Sequence, residues 1–363
     1  MPQFNPAIVV EQLEQLRNQY SFCPNRVWRA CSQIRDWESK QSTLQEILDG
    51  VFPKDSLRHE NHAACSLDFC EFSSRNFTAV QQYHEPTTCD QHGKTRENHE
   101  QKHVCFRLQS LFNDDKLVEA AQSDKLTAWR LDGWSVLEHP RPFMAISHVW
   151  SDGTGAGTWP SKQVNECVYR YFKKIAKRFQ CEGIWWDTLC VPQDRHARSR
   201  ALSIMHQNYE EARVTLVHDR FLRNIPFTGP DMACLAIVLS SWFTRGWTAL
   251  ELAKSRNVKI IFRESIKDLD KDILNKANEQ HFAARAIKDL RRDRFSNMDD
   301  LLAPLRPRYT SWLKDRATIA ANLIGMKIPG TDEDTFQRDM FQLVCYGSLS
   351  FTPRDYTAKA DNQ

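Results

Sequence analysis

The chain has 363 residues, of which 41% are hydrophobic and 11% aromatic, and it carries 49 basic and 46 acidic side chains. This composition supplies enough apolar side chain for a packed core, and the length suits one large domain or two smaller ones. The formal net charge of only +3 disfavours proteins that bind nucleic acid through clustered neutralisation of phosphates. We therefore expect no nucleic-acid partner.

The sequence also bears on location. The N-terminus lacks a basic flank followed by an apolar core, so no secretory signal is predicted. The longest apolar run, Met232–Phe243, has 12 residues, whereas a membrane helix needs roughly 20. Eleven cysteines, an odd number, indicate reduced thiols rather than a disulfide framework. These features predict a cytoplasmic protein with no membrane partner.

The first two regions differ in pattern. Residues 1–58 are predicted to be helical, because Val9, Leu13, Leu16 and Tyr20 recur at helical spacing. Residues 59–112 form a Cys/His-rich segment. Between positions 59 and 105 lie six of the 12 histidines and four of the 11 cysteines of the chain.

Thiolates and imidazoles are the usual ligands of structural Zn²⁺, so this segment predicts a possible zinc site. The preferred ligand set is Cys65, Cys70, His84 and Cys89, with His62, His92 and Cys105 as substitutes. The alternative is a solvated insertion in which the histidines are incidental.

Residues 113–264 alternate between strand and helix patterns. Met144–Trp150 is a nearly continuous apolar run, as in strands that are buried on both faces of a parallel sheet. Further strands are predicted at Gly183–Val191, Val214–Val217 and Val258–Phe262, with helices between them. The predicted fold class is α/β, with a mostly parallel sheet and helices on both of its faces. A helical C-terminal extension, residues 265–363, is expected to follow.

Four segments of this region join an apolar stretch to polar side chains that a core does not need. They are Phe143–Trp150, Ile184–Gln193, Ile204–Ala212 and Ser241–Leu252. Their order and motifs (Ser-His-Val-Trp, Trp-Asp-Thr-Leu-Cys-Val-Pro-Gln, Met-x-x-x-Tyr-x-x-Ala and Trp-x-x-Arg-x-Trp-x-x-x-Glu-Leu) resemble the fungal heterokaryon incompatibility (HET) domain. HET domains in turn resemble TIR domains, which have a flavodoxin-like sheet.

The resemblance implies a function in non-self recognition that leads to programmed cell death. In NAD-cleaving TIR domains the catalytic glutamate follows a tryptophan in a helix, and Glu251 has the matching position here. The resemblance further implies self-association into an oligomer and a partner protein of unknown identity. It suggests NAD as the substrate, cleaved to nicotinamide and ADP-ribose.

The chemistry of the residues is compatible with that activity. Nicotinamide leaves from a cationic pyridinium and needs no proton, so one carboxylate, Glu251, could suffice for stabilising the oxocarbenium ion. Asp187 is the second catalytic candidate, because it lies near the carboxyl end of a predicted strand, where open α/β sheets bind ligands. The alternatives are a helix glutamate that pairs with Lys254 or Arg245, and an aspartate that caps a turn.

The remaining candidates would bind NAD through hydrogen bonds, stacking or a glycine-rich loop. This predicted set is Ser147, His148, Trp150, Asp152, Trp186, Asp219, Arg245 and Trp247. Large aromatic residues are nevertheless common in cores. A non-enzymatic signalling module that self-associates or binds a partner domain is the alternative function.

Overall fold

The computed structural model describes residues 6–20, 22–32, 44–45, 47, 62, 64–71, 80–89, 107–108, 112–155, 163–291, 305, 308–310 and 313–324. The strands are β1 (Arg107–Leu108), β2 (Trp129–Arg130), β3 (Phe143–His148), β4 (Val164–Asn165), β5 (Gly183–Trp185), β6 (Val214–His218), β7 (Val258–Ile261) and β8 (Ile266–Asp268). The helices are α1 (Pro6–Tyr20), α2 (Pro24–Ser32), α3 (Asp114–Gln122), α4 (Glu166–Arg178), α5 (Asp187–Cys190), α6 (Arg195–Ser203), α7 (Met205–Glu211), α8 (Arg220–Asn224), α9 (Pro230–Leu239), α10 (Gly246–Lys254), α11 (Phe282–Leu290) and α12 (Leu313–Ile324). A π-helical segment covers Leu269–Leu274.

The main sheet has six strands in the order β2-β5-β3-β6-β7-β8. The four central strands are parallel, and the two edge strands pair antiparallel to their neighbours. The parallel strands follow one another in the chain as β3, β5, β6 and β7, so the sheet grows outward in both directions from β3. The prediction of an α/β fold with a mostly parallel sheet is confirmed.

Helices cover both faces of this sheet, which explains why all six residues of β3 are buried. Phe172 of α4 packs on one face against Trp186 and His218. Tyr209 of α7 packs on the other face against Trp185, and α7 contacts α10. The apolar run Ala233–Leu239 of α9 fits its position, because all seven of these residues are buried.

Two predicted elements differ in detail. The strand predicted at Gly183–Val191 ends at Trp185, and α5 begins at Asp187. The side chain of Asp187 accepts a hydrogen bond from the backbone N–H of Thr188, which favours a turn over continued pairing. The helix predicted between the strands at Gly183–Val191 and Val214–Val217 is divided at Ile204 into α6 and α7.

The flanking helices pack onto this α/β core. The N-terminal helix α2 contacts α9, and the C-terminal helix α12 contacts α10. None of the helices that the structure describes is long and apolar enough to cross a membrane.

Candidate functional site

The carboxyl ends of β3 and β6 lie side by side at the centre of the sheet. Ser147 pairs with Val217 and His148 pairs with His218 in the parallel register. The chain order of the strands reverses here, since β3 leads to β5 on one side and β5 then leads to β6 on the other. Open α/β sheets bind ligands at such a switch point.

The first group of polar side chains surrounds Glu251 of α10. The hydroxyl of Ser147 donates a hydrogen bond to Oε2 of Glu251 and accepts one from Nε1 of Trp242 at 2.6 Å. The hydroxyl of Tyr209 donates to the carbonyl of Ile146 at 3.4 Å, and its proximity to Glu251 lowers the pKa of that carboxyl group. Glu251 is only 7% exposed. The alternative in which Glu251 pairs with Lys254 is contradicted, because Lys254 pairs with Glu210 instead, at 3.2 Å.

This environment makes Glu251 a weaker acid than a solvent-exposed glutamate. Burial raises the pKa of Glu251 to about 7, although the hydrogen bond from Ser147 opposes the rise. The carboxyl group therefore gains or loses its proton near neutral pH. Titration in this range is common for carboxyl groups at functional sites.

The second group surrounds Asp187 at the carboxyl end of β5. Oδ1 of Asp187 lies 2.7 Å from Nε2 of His148, and Oδ2 accepts a 2.8 Å hydrogen bond from Nε1 of Trp150. Nε1 of Trp186 lies 3.0 Å from the same His148 nitrogen. Four sequence-predicted residues, His148, Trp150, Trp186 and Asp187, therefore meet in one cluster.

The two central members of this cluster form an ion pair. Burial by itself lowers the pKa of His148, but the charge of Asp187 and its hydrogen bond outweigh burial and raise that pKa to about 9. Burial opposes ionisation of Asp187 as well, yet the charge of His148 and hydrogen bonds from His148, Trp150 and Thr188 lower its pKa. Nδ1 of His148 is buried and has no hydrogen-bond partner among the described residues.

The loop after β3 covers the second group. Asp152 is buried and accepts hydrogen bonds from the backbone N–H groups of Thr154, at 2.8 Å, and Arg220, at 3.2 Å. A Cβ at Gly155 would lie 2.4 Å from Cε1 of His148 and 2.4 Å from Oγ1 of Thr188. Glycine is therefore required where the loop passes over the histidine.

The three other predicted binding residues have structural contacts. Asp219 caps α8 through the N–H of Leu222 and also accepts the N–H of Trp242, both at 3.0 Å. Nε1 of Trp247 donates a 2.9 Å hydrogen bond to Asp315 of α12. The carbonyl of Arg245 accepts hydrogen bonds from Thr248 at 2.9 Å and Arg308 at 3.2 Å, and burial lowers the pKa of its guanidinium.

Sequence reasoning missed a buried ion pair beside the second group. Nη1 of Arg223 lies 2.5 Å from Oε2 of Glu85, whose side chain is 0% exposed. The same nitrogen lies 2.8 Å from the hydroxyl of Tyr83 and 3.0 Å from Nε2 of His218. The pair joins the Cys/His-rich segment to the sheet. Its two members are 138 positions apart, and no local motif signals such a contact.

Two cavities among the described residues lie away from both groups. One, of about 10 Å³, lies between α2, α9 and Arg308, and a second of about 10 Å³ lies near His139. Neither is lined by Glu251, His148 or Asp187. Glu251 and His148 are buried, whereas the side chain of Asp187 keeps 27% of its surface exposed. A ligand could therefore touch Asp187 directly but would reach Glu251 only after a rearrangement.

The predicted metal ligands are divided between two clusters. Cys65 and Cys70 lie with Cys23 and His62, and His84 and Cys89 lie with Cys167. In each cluster the potential ligand atoms lie within 4.8 Å of one another, so either could hold a metal ion. The substitutes His92 and Cys105 lie outside the described residues. Cys23 and Cys167 were missed because they are distant in sequence from the segment.

Comparison with protein families gives one match. Residues 143–220 match the family model described as Heterokaryon incompatibility protein (HET), which confirms the predicted resemblance over that segment. The matched segment contains both Ser147 and Asp187 and ends before Glu251. No curated protein and no solved structure matches the chain, and similarity to TIR domains is not among the findings.

Proposed function

From the HET match over residues 143–220, we propose that this protein acts in heterokaryon incompatibility, the recognition of non-self that ends in programmed cell death. We further propose that it acts by cleaving NAD to nicotinamide and ADP-ribose. The environment of Glu251 is the observation that supports this activity. It is a buried carboxyl group with a pKa of about 7, held by Ser147 at the carboxyl end of β3.

In the proposed reaction, the bond between nicotinamide N1 and ribose C1′ breaks. Its electron pair moves to the pyridinium ring and neutralises it, so the leaving group needs no proton. The ionised carboxylate of Glu251 stabilises the oxocarbenium ion that forms at the ribose. Water then adds to C1′ and releases a proton, which balances NAD⁺ and water against nicotinamide, ADP-ribose and H⁺.

The His148–Asp187 pair has a binding function in this proposal. Asp187 keeps His148 protonated, because it raises the histidine pKa to about 9. Nδ1 of the protonated ring is then a buried donor without a partner among the described residues. A ribose hydroxyl or phosphate oxygen of NAD would satisfy it.

Because Glu251 is buried, the proposed reaction requires a step that admits the substrate to it. No cavity described above reaches Glu251, and Gly155 rests on His148. We propose that self-association, or binding of a partner protein, moves the loop at 152–155 and opens the site. Any metal in the Cys/His clusters is then a structural Zn²⁺ and takes no part in the reaction.

The burial of Glu251 also favours one alternative function, a non-enzymatic signalling module. In a non-enzymatic signalling module, the hydrogen bonds of Glu251 would serve only to hold α10 against β3. The surface of the domain would then act by binding other copies or a partner protein.

One experiment separates these functions. Purified wild type, Glu251→Ala and Glu210→Ala are incubated with NAD over a range of protein concentrations, and nicotinamide release is followed. Glu210 is a matched control because it is a glutamate of the neighbouring helix α7 that pairs with Lys254. The enzyme proposal expects release by wild type and Glu210→Ala only. Equal release by all three proteins contradicts the catalytic assignment, and no release at self-associating concentrations supports the signalling module.

A further inference from the structure

The N-terminal helical region and the Cys/His-rich segment meet at a cluster of four potential metal ligands. They are the thiols of Cys23, Cys65 and Cys70 and the imidazole of His62, and all four are buried. We propose that these residues bind one Zn²⁺ ion, which fastens α2 and the loop at residues 62–71 to the start of α10. The site does not depend on NAD cleavage.

The geometry fits a tetrahedral ion. The four ligand atoms lie within 4.8 Å of one another, and Sγ of Cys65 lies 3.4 Å from Nδ1 of His62. Zinc bonds of about 2.3 Å to sulfur and 2.0–2.1 Å to nitrogen place neighbouring ligand atoms roughly 3.5–3.8 Å apart. Three thiolates and one imidazole are a common structural zinc set, so only small adjustments are needed.

The surroundings of the cluster are unlike those of ordinary buried cysteines. Cys23, Cys65 and Cys70 form a buried cluster of their own, separate from the main hydrophobic core. Within the part of the chain that the structure describes, this cluster contains no aliphatic side chain, so the three sulfur atoms gain little from packing. Coordination of one ion would account for their convergence from two distant parts of the chain.

The loop also provides the support that a thiolate ligand needs. The N–H of Glu71 points to Sγ of Cys65 at 3.4 Å, and the N–H of Cys65 donates to the carbonyl of His62 at 3.0 Å. Ser66 and Phe69 close the intervening turn through a 3.0 Å backbone hydrogen bond. Donors to the ligating sulfur orient it and stabilise its negative charge.

The position of the cluster links three parts of the fold. Asn25, two residues after Cys23, donates to the carbonyl of Leu67 and accepts the hydroxyl of Tyr309. The carbonyl of Tyr309 accepts the N–H of Gly246 at 2.7 Å, at the first residue of α10. The ion would therefore fix the N-terminal end of α10, the helix that carries Glu251. Its binding free energy would stabilise the contact between α2, the loop at residues 62–71 and α10.

The second cluster differs in two respects. His84, Cys89 and Cys167 supply three donors rather than four, and His84 is only partly buried, whereas all four residues of the first cluster are buried. Its variants therefore serve as a comparison for the first cluster.

The test is elemental analysis of full-length protein purified without chelator. The proteins are wild type, Cys70→Ser, Cys89→Ser and Cys181→Ser. Cys181 is a matched control because it is a buried free thiol outside both clusters. We expect Cys70→Ser to contain one zinc equivalent less than wild type and Cys181→Ser to match wild type. Cys89→Ser should keep the equivalent that Cys70→Ser loses.

A wild type without zinc, or a Cys70→Ser variant with the full wild-type content, overturns the proposal. If Cys70→Ser does not fold, the wild type is loaded with Co²⁺ and its absorption is measured. Intense thiolate-to-cobalt charge-transfer bands with tetrahedral d–d bands support the site, and their absence contradicts it. The Cys65→His variant should retain the ion with a weaker charge-transfer band, because a nitrogen replaces one sulfur ligand.

Discussion

Ser147 and His148 are adjacent on β3 and bind two different carboxylates on opposite faces of the sheet. The Ser147 hydroxyl donates to Glu251, whereas Nε2 of His148 lies 2.7 Å from Asp187. This follows from the alternation of side chains along a strand. The two predicted catalytic residues are therefore held by separate hydrogen-bond networks that meet only at the end of β3.

Replacement of Glu251 by glutamine is expected to stabilise the folded protein at pH 8. The folded state binds the Glu251 proton more tightly than the unfolded chain, because burial raises the pKa from its usual range to about 7. Stability is therefore lost as the pH rises from about 4.3 through 7, by roughly 4 kcal/mol in total. Denaturant unfolding at pH 5 and pH 8 measures this. The advantage of Glu251→Gln should be larger at pH 8.

Glu210→Gln is the control, because that carboxylate is partly exposed and pairs with Lys254. It should change stability little at either pH. A Glu251→Gln variant that is less stable than wild type by the same amount at both pH values would show that the carboxyl group is not held in the protonated form.

Replacement of Gly155 by alanine should displace the loop from His148. The new Cβ would lie 2.4 Å from the imidazole and from the Thr188 hydroxyl, and such overpacking costs about 1–3 kcal/mol. Gly229→Ala is the control, since nothing lies within 4 Å of a Cβ there. Urea unfolding should show a clear loss for Gly155→Ala and a much smaller change for Gly229→Ala. Equal losses would contradict the close approach.

Replacement of Arg223 by methionine should strongly destabilise the protein. It leaves the carboxylate of Glu85, which is 0% exposed, without its counter-charge, at a cost of about 3–5 kcal/mol. The double variant Arg223→Met/Glu85→Gln should recover part of this loss, as thermal and urea unfolding can measure.

Arg200→Met removes a comparable bond at the surface, the 2.7 Å pair with Asp124 whose side chains are 50% and 61% exposed. Exposed pairs contribute at most about 1 kcal/mol. Similar losses for Arg223→Met and Arg200→Met would contradict the structural importance of the buried pair.

The sequence predicted the sheet well because its signals are local. The apolar runs at β3, β6 and β7 coincide with buried parallel strands, since a strand covered on both faces requires such a run. The turn cap that was the alternative for Asp187 is also a local feature, and the side chain of Asp187 accepts the N–H of Thr188. Motif order further placed Glu251 and Asp187 near the same edge of the sheet.

The remainder depends on contacts between distant residues. Trp242 donates to Ser147 across 95 positions, and Cys23 joins a cluster whose other members begin at His62. The spacing of apolar residues along the sequence does not predict contacts between such distant residues. The closure of the site over His148 likewise results from packing of the 152–155 loop, which the glycine-rich sequence alone could not distinguish from a phosphate-binding loop.

The most direct test of the proposed activity is nicotinamide release from NAD by wild type and Glu251→Gln, measured as a function of pH. The rate of the wild type should rise as the pH increases through about 7, because the ionised form of Glu251 stabilises the oxocarbenium ion and its pKa is about 7. Glu251→Gln should be slower by roughly two orders of magnitude or more, without this rise. A Glu251→Gln variant with the rate and pH profile of the wild type would contradict the account.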